Sequence, residues 1–224
     1  MKTYPVFALI AARPCLVVGG GSVGERKVLD LLAAGALVSV VSPALTPELA
    51  ALVARGEIRR LPGDFQEEQM AGMALVIGAT DDPEVNARVS AAAKERSIWV
   101  NIVDQPELCT FIVPAQVRRG ELTLAISTGG ASPALARKLR EELELRFGPE
   151  YGPYLALLQL IRTRVLEARR ADPANAVLFK RLVDSPLQEA LARGDRQEVR
   201  QILRETVGQV LSVAAIEEIL ETIS

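Results

Sequence analysis

Short apolar runs alternate with segments of helical periodicity over the first half of the chain. These runs have the composition of buried strands and lie at residues 15–19, 37–41, 58–61, 75–79 and 98–103. The segments between them predict helices at 23–34, 47–55 and 83–95. Strands and helices that alternate at this spacing are typical of an α/β fold, here a Rossmann-type doubly wound parallel sheet.

The pattern changes after residue 110. Two apolar runs, 111–117 and 122–127, flank a short charged turn and predict a β-hairpin. A helix is predicted from Pro133 to about Phe147, and the rest of the chain has helical character, with Tyr154, Leu157, Leu158 and Ile161 on one apolar stripe and later helices at 186–192, 196–207 and 215–223. We therefore predict three parts: a nucleotide-binding Rossmann domain over 1–112, a small β-hairpin-plus-helix segment over 113–148 and a helical C-terminal domain over 149–224.

Composition removes several classes of function. A net charge of −2 and an aromatic content of 4% argue against a nucleic-acid-binding protein, which needs a basic face and stacking side chains. The chain has no histidine, and its two cysteines lie far apart, so His-based catalysis and a structural metal site are not expected. Neither a signal peptide nor a membrane-spanning run is visible, so the expected location is the cytoplasm.

A glycine-rich turn follows the first predicted strand and opens the first predicted helix. Its sequence, Gly19-Gly20-Gly21-Ser22-Val23-Gly24, matches G-x-G-x-x-G. Glycines at these positions allow a tight turn and let the backbone approach a pyrophosphate at the N-terminus of the helix. A βα turn without a ligand is the alternative, and the strand–turn–helix context disfavours it. The cofactor-binding residues predicted here are Gly19, Gly21, Ser22, Val23 and Gly24.

The second predicted strand ends without the acidic residue that usually binds the ribose of NAD. Ser42, Pro43 and Ala44 stand there instead, so ribose selection would come from Ser42 or from backbone groups. No arginine stands at this point of the sequence to hold a 2′-phosphate, which favours NAD over NADP. Thr80, at the end of the fourth predicted strand, is a further expected cofactor residue.

A second glycine-rich turn, Ser127 to Pro133, precedes the helix at Pro133. Gly129 and Gly130 could turn the chain so that successive N–H groups face one anion. Cations outnumber the single acid, Glu121, between residues 114 and 140: Arg118, Arg119, Arg137, Lys138 and Arg140. A hairpin tip and a solvated helix face would explain each cation separately, whereas the turn and cations together favour an acidic ligand.

Asp104 follows the predicted strand at 98–103 and precedes Gln105-Pro106. This position puts a carboxylate at the ligand-facing edge of the sheet, where it could take a proton or steer a cation. The same residue could simply form the turn before Pro106, and position alone leaves the two interpretations open. In a chain without histidine, Asp104 is still the leading catalytic candidate.

The chain resembles the precorrin-2 dehydrogenase family, the siroheme synthase N-terminal proteins, some members of which are also sirohydrochlorin ferrochelatases. The matching blocks occur in the family's order between residue 4 and about residue 145. They are Tyr4 to Phe7, Cys15 to Lys27, Leu31 to Ala36, Ala79 to Asp82, Val100 to Asp104, Thr110 to Pro114 and Ile126 to Leu139.

The resemblance implies NAD-dependent oxidation of precorrin-2 to sirohydrochlorin in siroheme biosynthesis, by a homodimer in which the segment 113–148 serves dimerisation. The substrate is a tetrapyrrole with many carboxylates. Carried over by position, Ser22, Val23, Pro43 and Ala44 contact NAD, and Asp104 is the functional carboxylate. The substrate-binding residues expected are Asn101, Ser127, Thr128, Gly129, Gly130, Ala131, Ser132 and Arg137.

One position departs from part of the family. Some members have a serine, linked to substrate binding and phosphorylation, where this chain has Thr128. The threonine retains a hydroxyl that could bind substrate, but nothing in the sequence supports its phosphorylation.

Three functions remain open from the sequence. The chain could be the dehydrogenase alone, or it could also insert Fe²⁺ as a ferrochelatase, with the metal as a substrate. Because the sequence ends at Ser224, a siroheme synthase with all three activities is not expected. The third alternative is a non-catalytic, NAD-responsive regulatory protein whose helical tail contacts a partner. Cations and anions balance over 151–224, which counts against DNA as that partner.

Overall fold

The computed structural model describes residues 2–222, which form two compact units. One unit runs from Tyr4 to Val113, and the other begins at Pro114 and also includes the start of the chain. The division into three parts at residues 112 and 148 stays a prediction. Among the described residues, no helix is both long and apolar enough to cross a bilayer.

The first unit is a parallel five-stranded sheet with the strand order β3-β2-β1-β4-β5. This order confirms the predicted Rossmann-type fold, in which the strand order reverses next to β1. Its elements are β1 (Pro14–Val18), α1 (Ser22–Ala33), β2 (Leu37–Val41), α2 (Pro47–Ala54), β3 (Arg59–Leu61), β4 (Leu75–Gly78), α3 (Pro83–Glu95) and β5 (Trp99–Ile102).

The central strand β1 explains why these strands have continuous apolar sequences. Its side chains alternate between two cores, since Cys15 and Val17 pack on one face of the sheet while Leu16 and Val18 pack on the other. Residues of α1 and α2 cover the first face, and residues of α3 cover the second. The carboxyl ends of the strands are therefore the edge at which polar residues become accessible.

The second unit opens with the antiparallel hairpin and is otherwise helical. The first hairpin strand begins at Ala115, so the predicted start at Phe111 is wrong. Phe111 instead packs against the core of the first unit, and its apolar character therefore reflects burial. The elements are β6 (Ala115–Arg119), β7 (Leu122–Ile126), α4 (Pro133–Arg146), α5 (Tyr151–Ala168), α6 (Ala174–Val183), α7 (Leu187–Ala192), α8 (Arg196–Val207) and α9 (Val213–Thr222).

Helices α5 to α9 share one hydrophobic core. The stripe predicted on α5 supplies Tyr154, Leu157 and Ile161, which are buried, whereas Leu158 packs at the margin of this core. Helix α6 was not predicted separately, and its N-cap position holds Pro173, which offers no side-chain capping group. The last predicted helix ended at Ile223, which lies outside the described residues. Helix α4 differs from the others because none of its residues is buried.

Candidate dinucleotide and substrate sites

The turn after β1 passes directly against the segment after β4. Gly19 has φ +120°, and a Cβ added there would lie 2.2 Å from the carbonyl oxygen of Ala79. In a sheet of this order, the carboxyl ends of the strands on either side of the reversal form the crevice in which ligands bind. Gly19 therefore brings the backbone of the turn to that crevice at a distance that no side chain would allow.

Gly20 and Gly24 are also required by contacts within the protein. A Cβ on Gly24 would lie 2.1 Å from the carbonyl oxygen of Gly19, because α1 packs tightly on the turn. A Cβ on Gly20 would lie 2.3 Å from the carbonyl oxygen of Ala44, which follows β2. These two glycines fix the turn between the segment after β2 and the first helix.

Gly21 has no such contact. A Cβ added there would meet nothing within 4 Å, and the residue has φ −80° and ψ −174°, a conformation that any residue adopts. It is the N-cap of α1, and no side chain caps this end of the helix. Ser22 and Val23, the next two residues, are exposed. An open, uncapped helix N-terminus preceded by a glycine fits the pyrophosphate of a dinucleotide.

The loop after β2 is held against this turn from two sides. The Thr46 N–H donates to the carbonyl of Gly20 at 3.0 Å. On the other side, Nη2 of Arg60 donates to the carbonyls of Ser42 and Pro43 at 3.2 and 2.9 Å. Arg60 lies on β3, which pairs in parallel with β2. An arginine therefore does stand at the end of the second strand, which corrects the premise on which NAD was favoured over NADP.

The Thr80 hydroxyl is used inside its own loop. It accepts from the Asp82 N–H at 2.9 Å and lies 3.2 Å from the Asp82 carbonyl. The Thr80 carbonyl accepts from the side-chain amide of Asn86 at 2.9 Å. Asn86 is buried on α3, and sequence reasoning missed it, although a polar residue on a helix face that is mostly apolar was the available signal. Thr80 thus lies at the predicted edge, and Asn86 holds its backbone in place.

Asp104 is exposed at the turn that follows β5. Its φ is +59°, a left-handed conformation that aspartate tolerates better than most residues. The Gln105 N–H donates to the carbonyl of Ile102 at 3.2 Å and closes the turn. Asp104 therefore forms the turn before Pro106, which is one of the two interpretations. Its carboxylate is also accessible, as the other interpretation, proton transfer or steering of a cation, requires.

Lys27, on α1, shares the electrostatic environment of Asp104. Burial lowers the pKa of the Lys27 ammonium, while the carboxylates of Asp30 and, more weakly, Asp104 act in the opposite direction. Both carboxylates therefore favour the charged form of this half-buried lysine. This influence of Asp104 on Lys27 was not predictable from the sequence, because Lys27 lies on α1 and Asp104 lies in the turn after β5.

Asn101, an expected substrate-binding residue, makes its contacts within the protein. It is buried on β5, and its side-chain nitrogen donates to the carbonyl of Phe111 at 3.0 Å. The Thr110 hydroxyl also accepts from the Val100 N–H at 2.8 Å. These contacts tie the segment before Val113 to β5, and they favour a structural role for Asn101 over direct contact with a substrate.

The second glycine turn uses most of its polar groups internally. The Thr128 hydroxyl accepts from the Ser132 N–H at 3.2 Å and lies 3.1 Å from the Ser132 carbonyl. The Gly129 N–H donates to the Ser127 hydroxyl, and the Ala131 N–H donates to the Thr128 carbonyl. Ser132 caps α4 through the Leu135 N–H. A row of N–H groups facing one anion was expected, and the internal bonds contradict that expectation.

The turn still needs its two glycines. Gly129 and Gly130 have φ +61° and +85°, which are left-handed values that favour glycine. Gly130 and Ala131 are exposed, so a ligand could approach this turn from solvent. Such a ligand would be bound chiefly by side chains.

The cations around the second turn are largely paired. Arg137 contacts Glu141 at 2.9 Å, Lys138 contacts Glu142 at 3.8 Å, and Arg140 contacts Glu144, all one helical turn away. These acids lie just beyond the stretch in which the excess of positive charge was counted, so that excess is smaller than predicted. The side chain of Arg137 is nevertheless 77% exposed and remains accessible to a substrate carboxylate.

Arg119 has a structural role. Its Nε donates to the Phe147 carbonyl at 2.9 Å, and its Nη2 donates to the Glu144 carbonyl at 3.2 Å. These carbonyls belong to the C-terminal end of α4, where cations are favoured by the helix dipole. Arg119 therefore joins the hairpin to α4.

The strand order and the open glycine turn define a Rossmann-type dinucleotide-binding protein. Comparison with known families agrees, since residues 6–115 match the family described as "Putative NAD(P)-binding". Residues 119–145 match the family described as "Sirohaem biosynthesis protein central". Both matches agree with the resemblance to the siroheme synthase N-terminal proteins that the sequence motifs indicated.

Curated relatives extend this likeness over most of the chain. The siroheme synthase of Methylobacillus flagellatus is 42% identical over 92% of this chain and 44% of its own length. The siroheme synthase of Thioalkalivibrio sulfidiphilus is 45% identical over 92% of this chain and 42% of its own length. The chain thus spans less than half the length of these relatives.

A solved structure covers the whole fold. The protein named SirC, precorrin-2 dehydrogenase, is 27% identical, with a TM-score of 0.71 over 99% of this chain and 98% of its own. The described helical region is therefore part of the shared architecture.

Proposed function

We propose that the chain catalyses the NAD-dependent oxidation of precorrin-2 to sirohydrochlorin. The observation that carries this proposal is the uncapped N-terminus of α1 at Gly21, where a glycine has no contact in the protein to explain it. The likeness to a solved protein named precorrin-2 dehydrogenase over nearly the full length of both chains supports the choice of substrate.

The reaction removes a hydride and a proton from the substrate. The nicotinamide supplies the hydride acceptor when it is bound. Gly21, Ser22 and Val23 would hold the pyrophosphate through the N-terminus of α1, while Ser42 with Pro43 and Ala44 would lie at the ribose of the adenosine. The exposed carboxylate of Asp104 would accept the proton.

The carboxylates of the substrate require cationic and polar partners. Arg137 and the second glycine turn, with Ser127 and Ser132, would bind them, and the internal bonds of the turn would hold these groups in position. The side chain of Arg137 would have to exchange its exposed contact with Glu141 for a substrate carboxylate, which costs little because exposed ion pairs are weak.

A homodimer is part of the same proposal. Helix α4 has no buried residue, and Leu135 and Leu145 on it are 47% and 89% exposed. Exposed apolar side chains on a helix without any buried residue favour coverage by another surface. A second copy of the segment 113–148 is the cover proposed here.

The test follows tetrapyrrole absorbance after purified protein is mixed with precorrin-2 and NAD⁺ without oxygen. Wild-type protein should convert the substrate, and Asp104→Asn should lower kcat about 100-fold or more, the usual range for loss of an acid–base group. Asparagine is the suitable replacement because it tolerates the left-handed conformation of Asp104, whereas alanine adds backbone strain.

Two controls separate the carboxylate from the turn. Asp104→Gly removes the carboxylate while it accommodates the backbone, so it should lose as much activity as Asp104→Asn. Asp81→Asn, at another exposed acid of the same unit, should leave activity unchanged. Near-wild-type turnover by Asp104→Asn would refute the role of this residue, and no turnover by wild-type protein would refute the dehydrogenase. Addition of Fe²⁺ to sirohydrochlorin then tests metal insertion.

A further inference from the structure

Arg60 is a cation without a carboxylate partner at the end of β2. Among the ion pairs of residues 2–222, Arg55 and Arg96 of the same unit contact acids within 4.0 Å, but Arg60 does not. Its guanidinium is instead anchored to two backbone carbonyls, those of Ser42 and Pro43. The positive charge of this exposed side chain is therefore available to a ligand.

The anchoring also orients the guanidinium. A guanidinium has five N–H donors in a rigid fork, and the two contacts to carbonyls both come from Nη2. Nε and Nη1 keep their hydrogens for another acceptor. Hydrogen bonds from a guanidinium to a phosphate are charge-assisted, so these donors favour a phosphate over a neutral hydroxyl.

The location of this guanidinium within the dinucleotide site is set by the glycine turn. A Cβ on Gly20 would lie 2.9 Å from the Cβ of Ser42, so the residue that Arg60 anchors adjoins the turn directly. The end of β2 is where proteins of this fold contact the ribose 2′ position, with an acid for a hydroxyl or an arginine for a phosphate. An acid at this position would repel a phosphate, but here the position is occupied by Ser42.

We propose that Arg60 determines cofactor specificity and allows this site to bind NADP as well as NAD. Arg60 would contact the 2′-phosphate through Nε or Nη1, with the Ser42 hydroxyl beside it. This inference rests on the proposed dinucleotide site, but it does not depend on precorrin-2 as the substrate.

The test measures the dissociation constants of NAD⁺ and NADP⁺ by calorimetry, with the intact chain and without substrate. In wild-type protein we expect the two values to lie within about tenfold of each other. Arg60→Gln should raise the ratio of the NADP⁺ constant to the NAD⁺ constant at least tenfold, about the effect of one charge-assisted contact to phosphate. Arg60→Lys, which keeps the charge but cannot reproduce the anchored guanidinium, should give an intermediate ratio.

Arg59 provides the matched control. It is the neighbouring residue on β3 and is also exposed. Its side chain points to the opposite face of the sheet, because side chains alternate along a strand. Arg59→Gln removes the same charge and should leave the ratio unchanged. Adenosine 2′,5′-bisphosphate and 5′-AMP serve as fragments that differ only in the 2′-phosphate, and they should repeat the effect of Arg60→Gln.

The outcomes separate the possible explanations. A ratio that rises less than tenfold in Arg60→Gln overturns the proposal, whether NADP⁺ binding is already absent in wild-type protein or both cofactors lose affinity together. Parallel losses would mean that Arg60 only holds the loop at Ser42. If wild-type protein binds neither dinucleotide, the proposed function fails as well, whereas NAD⁺ binding with an unchanged ratio overturns only the role of Arg60.

Discussion

The two glycine turns of this chain look alike in sequence and differ in what their backbone groups do. In the first turn, an added Cβ would clash with the protein at Gly19, Gly20 and Gly24 but would meet nothing at Gly21. The N-terminus of α1 also has no side-chain cap. In the second, Ser127, Thr128 and Ser132 bind the N–H groups of the turn and of α4. A glycine-rich sequence before a helix therefore indicates an anion site only where hydroxyls do not already satisfy the backbone.

The presence of serine and threonine is the physical reason for this difference. Their hydroxyls compete with a ligand for the same N–H groups, and short local bonds form at little entropic cost. The first turn has one such residue, Ser22, which lies inside the helix rather than before it. The comparison can be tested with substitutions that should act on stability in one place and on binding in another.

The largest effect is expected at Gly19. Gly19→Ala would combine a left-handed backbone with a clash against the Ala79 carbonyl, so it should lower the free energy of unfolding by about 3 kcal/mol or more. Urea denaturation measures the change. Gly63→Ala is the control, since Gly63 has a positive φ but open space around it, and it should cost only about 1 kcal/mol. Equal losses would show that the close approach to Ala79 is unimportant.

Gly21→Ala should have the opposite character. Because the added methyl group meets no protein atom, the free energy of unfolding should fall only by the cost of alanine at an N-cap, about 1 kcal/mol or less. The dissociation constant for NAD⁺ should rise about tenfold or more, since the methyl group enters the space assigned to the pyrophosphate. Calorimetry and urea denaturation on the same preparation check both parts. Unchanged NAD⁺ affinity would contradict the assignment of this turn.

Thr128→Val should act on stability in the second turn. It removes the acceptor for the Ser132 N–H, and it should cost about 1 kcal/mol of unfolding free energy. Faster amide hydrogen exchange at the start of α4 would locate the loss. Thr128→Ser retains the hydroxyl and should behave as wild type within about 0.5 kcal/mol. If Thr128→Val left the free energy of unfolding unchanged, the turn would not need its internal bonds.

The smallest effect on stability is expected from Arg137→Gln. Its pair with Glu141 is exposed, so the change in unfolding free energy should stay below about 0.5 kcal/mol. Steady-state kinetics should show a KM for precorrin-2 that is a few-fold higher with kcat unchanged, as for loss of uniform binding. Lys138→Gln on the same helix is the comparison. Identical kinetics for Arg137→Gln and wild type would remove Arg137 from the substrate site.

The sheet and the first turn were predictable because their signals are local. Continuous apolar runs such as 15–19 give buried strands, and the spacing of Gly19, Gly21 and Gly24 identifies the turn. Arg60 was not predictable in this way, since only the pairing of β3 with β2 brings it to Ser42. Asn86 could have been found as a polar residue on the buried face of α3, but its bond to the Thr80 carbonyl depends on the backbone geometry of the loop.

The charge of the second turn was misjudged for a different reason. The acids that pair with Arg137, Lys138 and Arg140 stand four residues further along the same helix, beyond the stretch that was counted. Helical periodicity would have revealed these pairs from the sequence. By contrast, the use of the Thr128 hydroxyl within the turn depends on backbone geometry that no residue pattern specifies.

The buried thiol of Cys15 can report when the sheet opens around β1. Its side chain is fully buried in β1, and burial raises the pKa of the thiol to about 11. Because alkylating reagents attack the thiolate, Cys15 should be inert near neutral pH until β1 separates from its neighbours. The strand leads directly into Gly19, so a dinucleotide bound to the folded state should slow that labelling, and the rate would measure occupancy of the site without any tetrapyrrole.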